Sequence, residues 1–140
     1  MTPDELARAC AEAMAANDLA GSNVGIELRH VAPGRATTHM RVAPAMANGH
    51  GMCHGGYVFL LADTAFAYAC NTYGNVTVAA GCDIVFVLPA LVGDALTAEA
   101  MERSRFGRNG IYDVTVRRAD GELIAELRGR SRTTAEKILA

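Results

Sequence analysis

The sequence predicts an α+β domain in which one long central helix packs against an antiparallel sheet. Two patterns favour this fold class. Residues 56 to about 73 are almost entirely apolar, which is typical of a helix buried on all sides. Near the C-terminus, Leu123, Ala125 and Leu127 alternate with charged or polar residues, as in a strand with one face on a core. We therefore expect a curved sheet that wraps around the helix.

The first residues carry the signals of an extra N-terminal helix. Thr2 is a suitable cap, Pro3 suits the first helical position, and two acidic residues follow in the first turn. We expect this helix to end near Asn17 and Asp18.

Strands and turns account for most of the remaining chain. A glycine-rich loop at residues 44–52 precedes the long helix, and Ala119-Asp120-Gly121 is a hairpin signal between the last two strands. The predicted strands are residues 24–31, 36–42, 76–88, 95–103, 110–117 and 123–132.

Composition narrows the class of protein. Apolar residues make up 51% of the chain, which argues against disorder, and we expect a single domain over residues 1–140. A formal charge of −2 provides no basic field for nucleic acid. The four cysteines form no CxxC pair, and we find neither a signal pattern nor an apolar stretch long enough for a membrane. We therefore predict a cytoplasmic protein with reduced thiols and no nucleic-acid or membrane partner.

One acid stands out in the long helix. Asp63 lies within residues 57–70, which are otherwise apolar or small apart from Thr64. Because removing a carboxylate from water is costly, such a group is expected to be paired, protonated or chemically active. Gly55 and Gly56 lie where the start of a helix presents free N–H groups that suit an anion. These features suggest an acyl-transfer site, and a buried acid held by a structural hydrogen bond is the alternative.

Two motifs carry a family resemblance. Residues 48–56 (NGHGMCHGG) and residues 61–71 (LADTAFAYACN) resemble the hotdog-fold thioesterases, in particular the phenylacetyl-CoA (phenylacetic acid degradation) thioesterases. Segments 83–89, 93–94 and 129–132 fall where that family has its corresponding strands. The resemblance implies a central helix wrapped by an antiparallel sheet. It also implies hydrolysis of an acyl-CoA thioester at the interface of a homodimer, commonly within a homotetramer, with no metal or cofactor beyond the substrate's own CoA.

The resemblance also implies roles for individual residues. The family's catalytic acid falls on Asp63, its carbonyl-binding amide on Gly55, its supporting side-chain amide on Asn48 and its motif histidine on His54. We add the neighbouring Gly56 as a substrate-binding position.

A hydroxyl position known in some relatives has no match here. Those relatives carry a hydroxyl residue early in the strand after the helix, where this chain has Val78-Ala79-Ala80-Gly81. Thr77 or Thr64 are the alternatives, and we count Thr64 among the substrate-binding candidates.

Helix geometry predicts that the site is shared between two chains. Asp63 lies eight residues after Gly55, so the two are roughly 12 Å apart along one helix. That distance is too long for both to address one carbonyl carbon. Two antiparallel helices from different chains would bring one Asp63 beside the other chain's Gly55. The sequence leaves open whether Asp63 acts as general base or as nucleophile.

Arginines and histidines supply weaker candidates. Arg105, Arg108 and Arg130, together with Arg132, can meet the phosphates of CoA, although solvated strand charges are the ordinary alternative. His50 and His54 have the spacing of a metal pair, but Cys53 is the sole nearby third ligand and we predict no metal site. We interpret Cys53 as structural.

Two other functions remain as alternatives. One is a hydratase or dehydratase that acts on an acyl thioester. Such enzymes usually rely on a different placement of histidine and acid. The other is a non-catalytic acyl-CoA sensing module, which would not need a buried acid beside a carbonyl site.

Overall fold

The computed structural model describes residues 1–140 as three α-helices and one six-stranded antiparallel sheet. The helices are α1 (Pro3–Ala15), α2 (Leu19–Asn23) and α3 (Gly55–Cys70), with a short 3-10 turn at Pro44–Met46. The strands are β1 (Glu27–Ala32), β2 (Arg35–Arg41), β3 (Asn75–Phe86), β4 (Ala95–Phe106), β5 (Asn109–Arg118) and β6 (Leu123–Lys137). The strand order is β1-β2-β4-β5-β6-β3, so β1 and β3 are the edge strands. The predicted central helix wrapped by a curved sheet, with an extra N-terminal helix, is confirmed.

The N-terminal signals act as predicted. The Thr2 hydroxyl accepts a hydrogen bond from the Glu5 N–H at 3.1 Å, and the Glu5 carboxylate accepts one from the Thr2 N–H at 3.4 Å. This reciprocal capping box, with Pro3 at the first position, fixes the start of α1.

The core lies between α3 and the inner face of the sheet. Leu61, Ala62 and Phe66 of α3 are at most 1% exposed. They belong to one apolar cluster with Val114 and Val116 of β5. The helix approaches β6 closely because residue 129 is glycine: a Cβ there would lie 2.7 Å from the Phe66 ring.

One strip of α3 is not covered within the chain. Leu60, Asp63, Thr64 and Ala67 are half-buried, and Gly56 is exposed. The expectation of burial on all sides is therefore wrong for a single chain, although Leu60 and Ala67 of this strip are apolar. The strip contains the candidate acid.

The region after α1 differs from the prediction. Asp18 does not simply end α1, because its side chain accepts from the Gly21 N–H at 3.0 Å and caps the short helix α2. Val24 closes α2 and Gly25 has a positive φ of 75°, so strand β1 begins at Glu27 rather than at residue 24.

Strand and helix lengths differ at the other end of α3. The Asn71 side chain donates to the Ala67 and Thr77 carbonyls and accepts from the Thr77 N–H, which ends α3 at Cys70 rather than near residue 73. Strand β6 continues to Lys137 because it pairs with the start of β3. Strand β4 continues to Phe106, so Arg105 lies in a strand rather than in the predicted turn.

All four cysteines are free thiols. Cys10, Cys53 and Cys70 are buried, and Cys82 is half-buried. Burial raises the pKa of each thiol, to about 12 for Cys70.

No helix combines the length and the apolar character needed to cross a bilayer.

Candidate active site

The loop before α3 is held firmly in place. Cys53 donates through its backbone to the Ala90 carbonyl, and His54 donates through its backbone to the Met46 carbonyl, both at 2.8 Å. These bonds fix the position of the next residue, Gly55, at the start of α3. We find no acceptor within the chain for the Gly55 N–H, as expected for the first turn of a helix.

His54 caps α3. Its Nδ1 accepts a hydrogen bond from the Gly56 N–H at 2.8 Å, which requires the neutral ring to carry its proton on Nε2. The ring is exposed and meets Tyr57 edge-on at 6.5 Å between centroids. Since His54 occupies the Gly56 N–H, Gly55 is left to supply the free donor.

Asn48 shapes the same loop. Its Oδ1 accepts from the His50 N–H at 2.8 Å and the Met52 N–H at 3.2 Å. Its Nδ2 donates to no group of the chain and is available to a ligand. Asn48 and Gly55 line one cleft of about 340 Å³ with residues 86–90.

Phe86 is a member of this cleft that the sequence reasoning missed. A Cβ at residue 55 would lie 3.0 Å from the Phe86 ring, so the ring rests directly on Gly55. The relevant sequence signal was the apolar run at the end of β3, but its pairing with the start of α3 is a tertiary contact. Glycine at 55 leaves room for both the ring and a ligand.

Asp63 lies in a second cleft. It is half-buried, burial raises the pKa of its carboxyl, and no group of the chain donates a hydrogen bond to it. The cleft measures about 360 Å³. Its other walls come from all three helices: Met14, Asp18, Ala20, Leu60, Thr64, Ala67 and Tyr68. The contributions of Asp18 and Tyr68 were not predicted.

The candidate hydroxyl groups have other partners. Thr64 is beside Asp63 in the cleft, but its hydroxyl donates to the Leu60 carbonyl at 2.7 Å. Thr77 is buried and bonded to Asn75 and Thr133, and it lines neither of the two clefts.

Asp63 and Gly55 do not meet within one chain. The two clefts share no residue, although both are lined by α3. The structure therefore groups Gly55 with Asn48, and Asp63 with Thr64, as two separate halves of the predicted site.

The candidate arginines lie on the sheet strands or in the β4–β5 turn. Arg105 stacks over the Tyr73 ring at 3.5 Å, with Nε 3.7 Å from Glu102. Arg130 donates to Asp83 at 3.1 Å and crosses β3, since a Cβ at Gly81 would lie 2.7 Å from its Nη2. Arg108 sits in the β4–β5 turn and forms no ion pair. The β4–β5 end of the sheet also carries Arg132, opposite Asn109.

The histidines of the loop do not form a metal centre with their neighbours. No three or more His, Cys, Asp and Glu side chains are grouped closely enough to hold an ion. His54 Nδ1 is already bonded to the backbone.

Comparison with known proteins identifies the family to which this chain is similar. Residues 50–125 match the model of the thioesterase superfamily. The chain is 43% identical over 121 residues to the acyl-coenzyme A thioesterase PaaI of Escherichia coli K12, covering 86% of each chain.

Solved structures agree with this similarity. The E. coli PaaI protein from the phenylacetic acid degradation operon superposes with a TM-score of 0.95 at 39% identity, covering 97% of this chain and 99% of that one. A mutant of the phenylacetic acid degradation protein PaaI from Thermus thermophilus gives 0.79 at 33% identity, covering 81% and 97%.

Proposed function

Since the chain belongs to the thioesterase superfamily, we propose that it hydrolyses aryl-acetyl-CoA thioesters to the free acid and CoA. Acyl-CoA thioesterase is its general activity, on the hotdog fold. Phenylacetyl-CoA and its ring-hydroxylated relatives are the leading substrates. This choice is supported by the 43% identity to the E. coli thioesterase PaaI, a protein from the phenylacetic acid degradation operon.

The observation that carries the proposal is the division of the site into two clefts. The acid and the free amide lie on one helix but line separate clefts. We propose that a homodimer places the Asp63 cleft of one chain against the Gly55 cleft of its partner, giving two sites by symmetry.

Strand β3 provides a surface for such pairing. It is an edge strand of 12 residues, whose outer backbone groups have no partner in the sheet. Four consecutive apolar residues at and just after its end are 40–63% exposed: Val85, Phe86, Val87 and Leu88. Pairing two copies along β3 would cover this surface and the open strip of α3. We further propose that two such dimers form a homotetramer, and that the enzyme works in the cytoplasm.

In the proposed reaction, the Gly55 N–H binds the thioester carbonyl oxygen. Asp63 either removes a proton from water, whose hydroxyl attacks the carbonyl carbon, or attacks that carbon itself and forms a mixed anhydride that water then opens. In both routes the tetrahedral oxyanion accepts a hydrogen bond from the Gly55 N–H at the positive end of the α3 dipole. The C–S bond then breaks, and CoA leaves as a thiolate that takes up a proton.

Other residues hold the substrate in place. Asn48 offers its free Nδ2 donor beside Gly55, and His54 fixes the first turn of α3 by occupying the Gly56 N–H. Arg108, which forms no ion pair, is the leading candidate for a CoA phosphate, with Arg105 and Arg130 as further positions. We propose that the reaction needs no metal or cofactor, so activity should survive treatment with EDTA.

The test is thiol release from aryl-acetyl, benzoyl and straight-chain acyl-CoA esters. We expect turnover by the wild type, highest with the aryl-acetyl esters, and its loss in Asp63→Asn. Binding of acyl-CoA without turnover would favour the sensing module, and formation of a hydrated acyl-CoA would favour a hydratase.

Mixing two inactive variants tests the shared site. A dimer of one Asp63→Asn chain and one Gly55→Ala chain contains one intact site, formed by the wild-type Asp63 and Gly55 of opposite chains. After random exchange of an equal mixture, about a quarter of wild-type activity should return. If both groups acted within one chain, the mixture would stay inactive.

A further inference from the structure

The Phe86 ring occupies the space that a side chain at residue 55 would take. A Cβ built on Gly55 would lie 3.0 Å from Cζ of this ring, 3.2 Å from Cε1 and 3.6 Å from Cε2, so the tip of the ring faces Gly55. In a helix the Cα–Cβ bond is tilted toward the N-terminus, which is also the direction of the free N–H groups of the first turn. The ring therefore flanks the approach to the Gly55 N–H.

The walls around this amide are apolar. No charged side chain lines the cleft, and Asn48 supplies its one polar side-chain amide. The main hydrophobic walls come from Met52, Val58 and residues 86–90. The Gly55 N–H and the Asn48 amide are thus polar donors in an otherwise apolar site.

Core packing does not explain where this ring lies. Phe86 is 53% exposed, whereas Phe66 of α3 is 1% exposed. Backbone pairing fixes the position from which the Phe86 ring extends, because Phe86 lies opposite Ala125 of β6. The next residue, Val87, donates to the Ile124 carbonyl at 2.8 Å. The sheet therefore holds a poorly buried aromatic residue against the amide that the proposed reaction uses.

We infer that Phe86 is a positioning residue that keeps water from the Gly55 N–H and thereby strengthens the hydrogen bond from this amide to the oxyanion. This inference rests on the proposed function. A hydrogen bond to a developing charge is worth much more in a site that excludes water than in water. Since the ring acts through Gly55, its effect should appear in the transition state, where the carbonyl oxygen carries charge. The effect should be much smaller in bound substrate, where that oxygen is neutral.

The test compares turnover with the binding of an uncharged carbonyl. Turnover is measured with the acyl-CoA ester that the wild type hydrolyses fastest. Binding is measured by calorimetry with the ketone analogue of that ester, in which a methylene group replaces the thioester sulfur and prevents hydrolysis. We expect Phe86→Ala to lower kcat and kcat/KM by the same factor, about tenfold, while the Kd of the ketone changes less than about twofold. Phe86→Leu keeps an apolar cover and should lose less activity than Phe86→Ala.

Phe106→Ala is the matched control. Phe106 is also 53% exposed and also ends a strand, but it lines neither cleft, so kcat should not change. Phe86 belongs to the surface proposed for pairing as well. The assays are therefore run at a protein concentration at which analytical ultracentrifugation finds Phe86→Ala in the same oligomeric state as the wild type.

The outcomes separate this inference from the proposed function. If Phe86→Ala keeps the wild-type kcat, or loses affinity for the ketone by the same factor as kcat/KM, the inference is wrong while the thioesterase function stands. A wild type that hydrolyses no acyl-CoA ester overturns the proposed function, and the inference with it.

Discussion

Asp63 should set the acid limb of the pH profile. Burial raises the pKa of its carboxyl, and the proposed chemistry needs the ionised form. We expect kcat/KM to fall as the pH drops through this raised pKa, above the ordinary aspartate value of about 3.9. Asp63→Asn should lower kcat by about 10² to 10⁴-fold and remove this limb. A wild-type limb at the ordinary aspartate value would contradict the assignment.

Asp63 should also make the stability of the folded chain depend on pH. Activity should fall as the pH drops, whereas the contribution of Asp63 to stability should fall as the pH rises. A raised pKa means that the folded chain holds the Asp63 proton more tightly than the unfolded chain does. Its contribution to the free energy of unfolding is therefore largest below the unfolded pKa and is lost as the pH rises through the folded pKa. At pH 7, urea denaturation should find Asp63→Asn at least as stable as the wild type. A clearly less stable variant would indicate instead that Asp63 makes a structural hydrogen bond.

Gly55→Ala should damage activity more than stability. The added Cβ would lie 3.0 Å from the Phe86 ring, but that ring is half-exposed and can move. The methyl group should keep the thioester carbonyl of the substrate away from the Gly55 N–H. We therefore expect kcat/KM to fall by about 10² to 10³-fold with little change in Tm. The double variant Gly55→Ala with Phe86→Leu relieves the crowding. Recovery of full activity there would show that ring displacement, rather than the blocked amide, caused the loss.

Individual residues were predictable where the chemistry is local to one motif. Asp63 is conspicuous in an apolar helix, and Gly55, Asn48 and His54 belong to one continuous loop. Phe86 and Asp18 reach the clefts through tertiary contacts between separate elements, and Tyr68 lies on α3 among other apolar and aromatic residues. No local pattern distinguishes them from ordinary core or turn residues, so only the structure identifies them as residues of the clefts.

At the scale of elements, the packing of α3 on β6 depends on Gly129. A Cβ there would lie 2.7 Å from the Phe66 ring, which is 1% exposed and cannot move freely. Gly129→Ala should therefore destabilise the chain by about 1–3 kcal/mol, measured by urea denaturation. Gly49→Ala is the control, because that position has open space and no positive φ. Equal stability of the two variants would contradict this account of the packing.

The elements were predictable to the extent that they have their own periodicity. Helix α1 carried a complete capping signal, and α3 was long enough to be recognised from composition. Helix α2 has five residues, too few for an amphipathic pattern, and depends on the Asp18 cap. The length of β6 depends on pairing with β3, and such pairing is not encoded within either strand alone.

At the scale of the whole molecule, activity should depend on protein concentration. Each chain holds half of the proposed site, so dissociated chains should be inactive even when fully folded. We expect activity per chain to fall on dilution, in parallel with loss of the dimer in analytical ultracentrifugation. A folded monomer that keeps full activity would overturn the shared site.

The architecture as a whole was predictable because helix, sheet and motif signals agreed with one another. The strand order was not, since β3 follows α3 in the chain but lies at the far edge of the sheet beside β6. The open strip on α3 was not predictable either, because it depends on how separate elements pack against the helix. An apolar sequence shows that a surface avoids water, but it does not show whether the same chain or another covers it.

The state of the cysteines has a consequence for an enzyme whose product is itself a thiol. Thiol–disulfide exchange requires a thiolate, and burial raises the pKa of all four cysteines. At neutral pH the protein's own sulfur atoms therefore stay protonated, and three of the four are also buried. A disulfide form of CoA that reached the site would meet few reactive thiols. We therefore expect the protein to form mixed disulfides with disulfide forms of CoA only slowly.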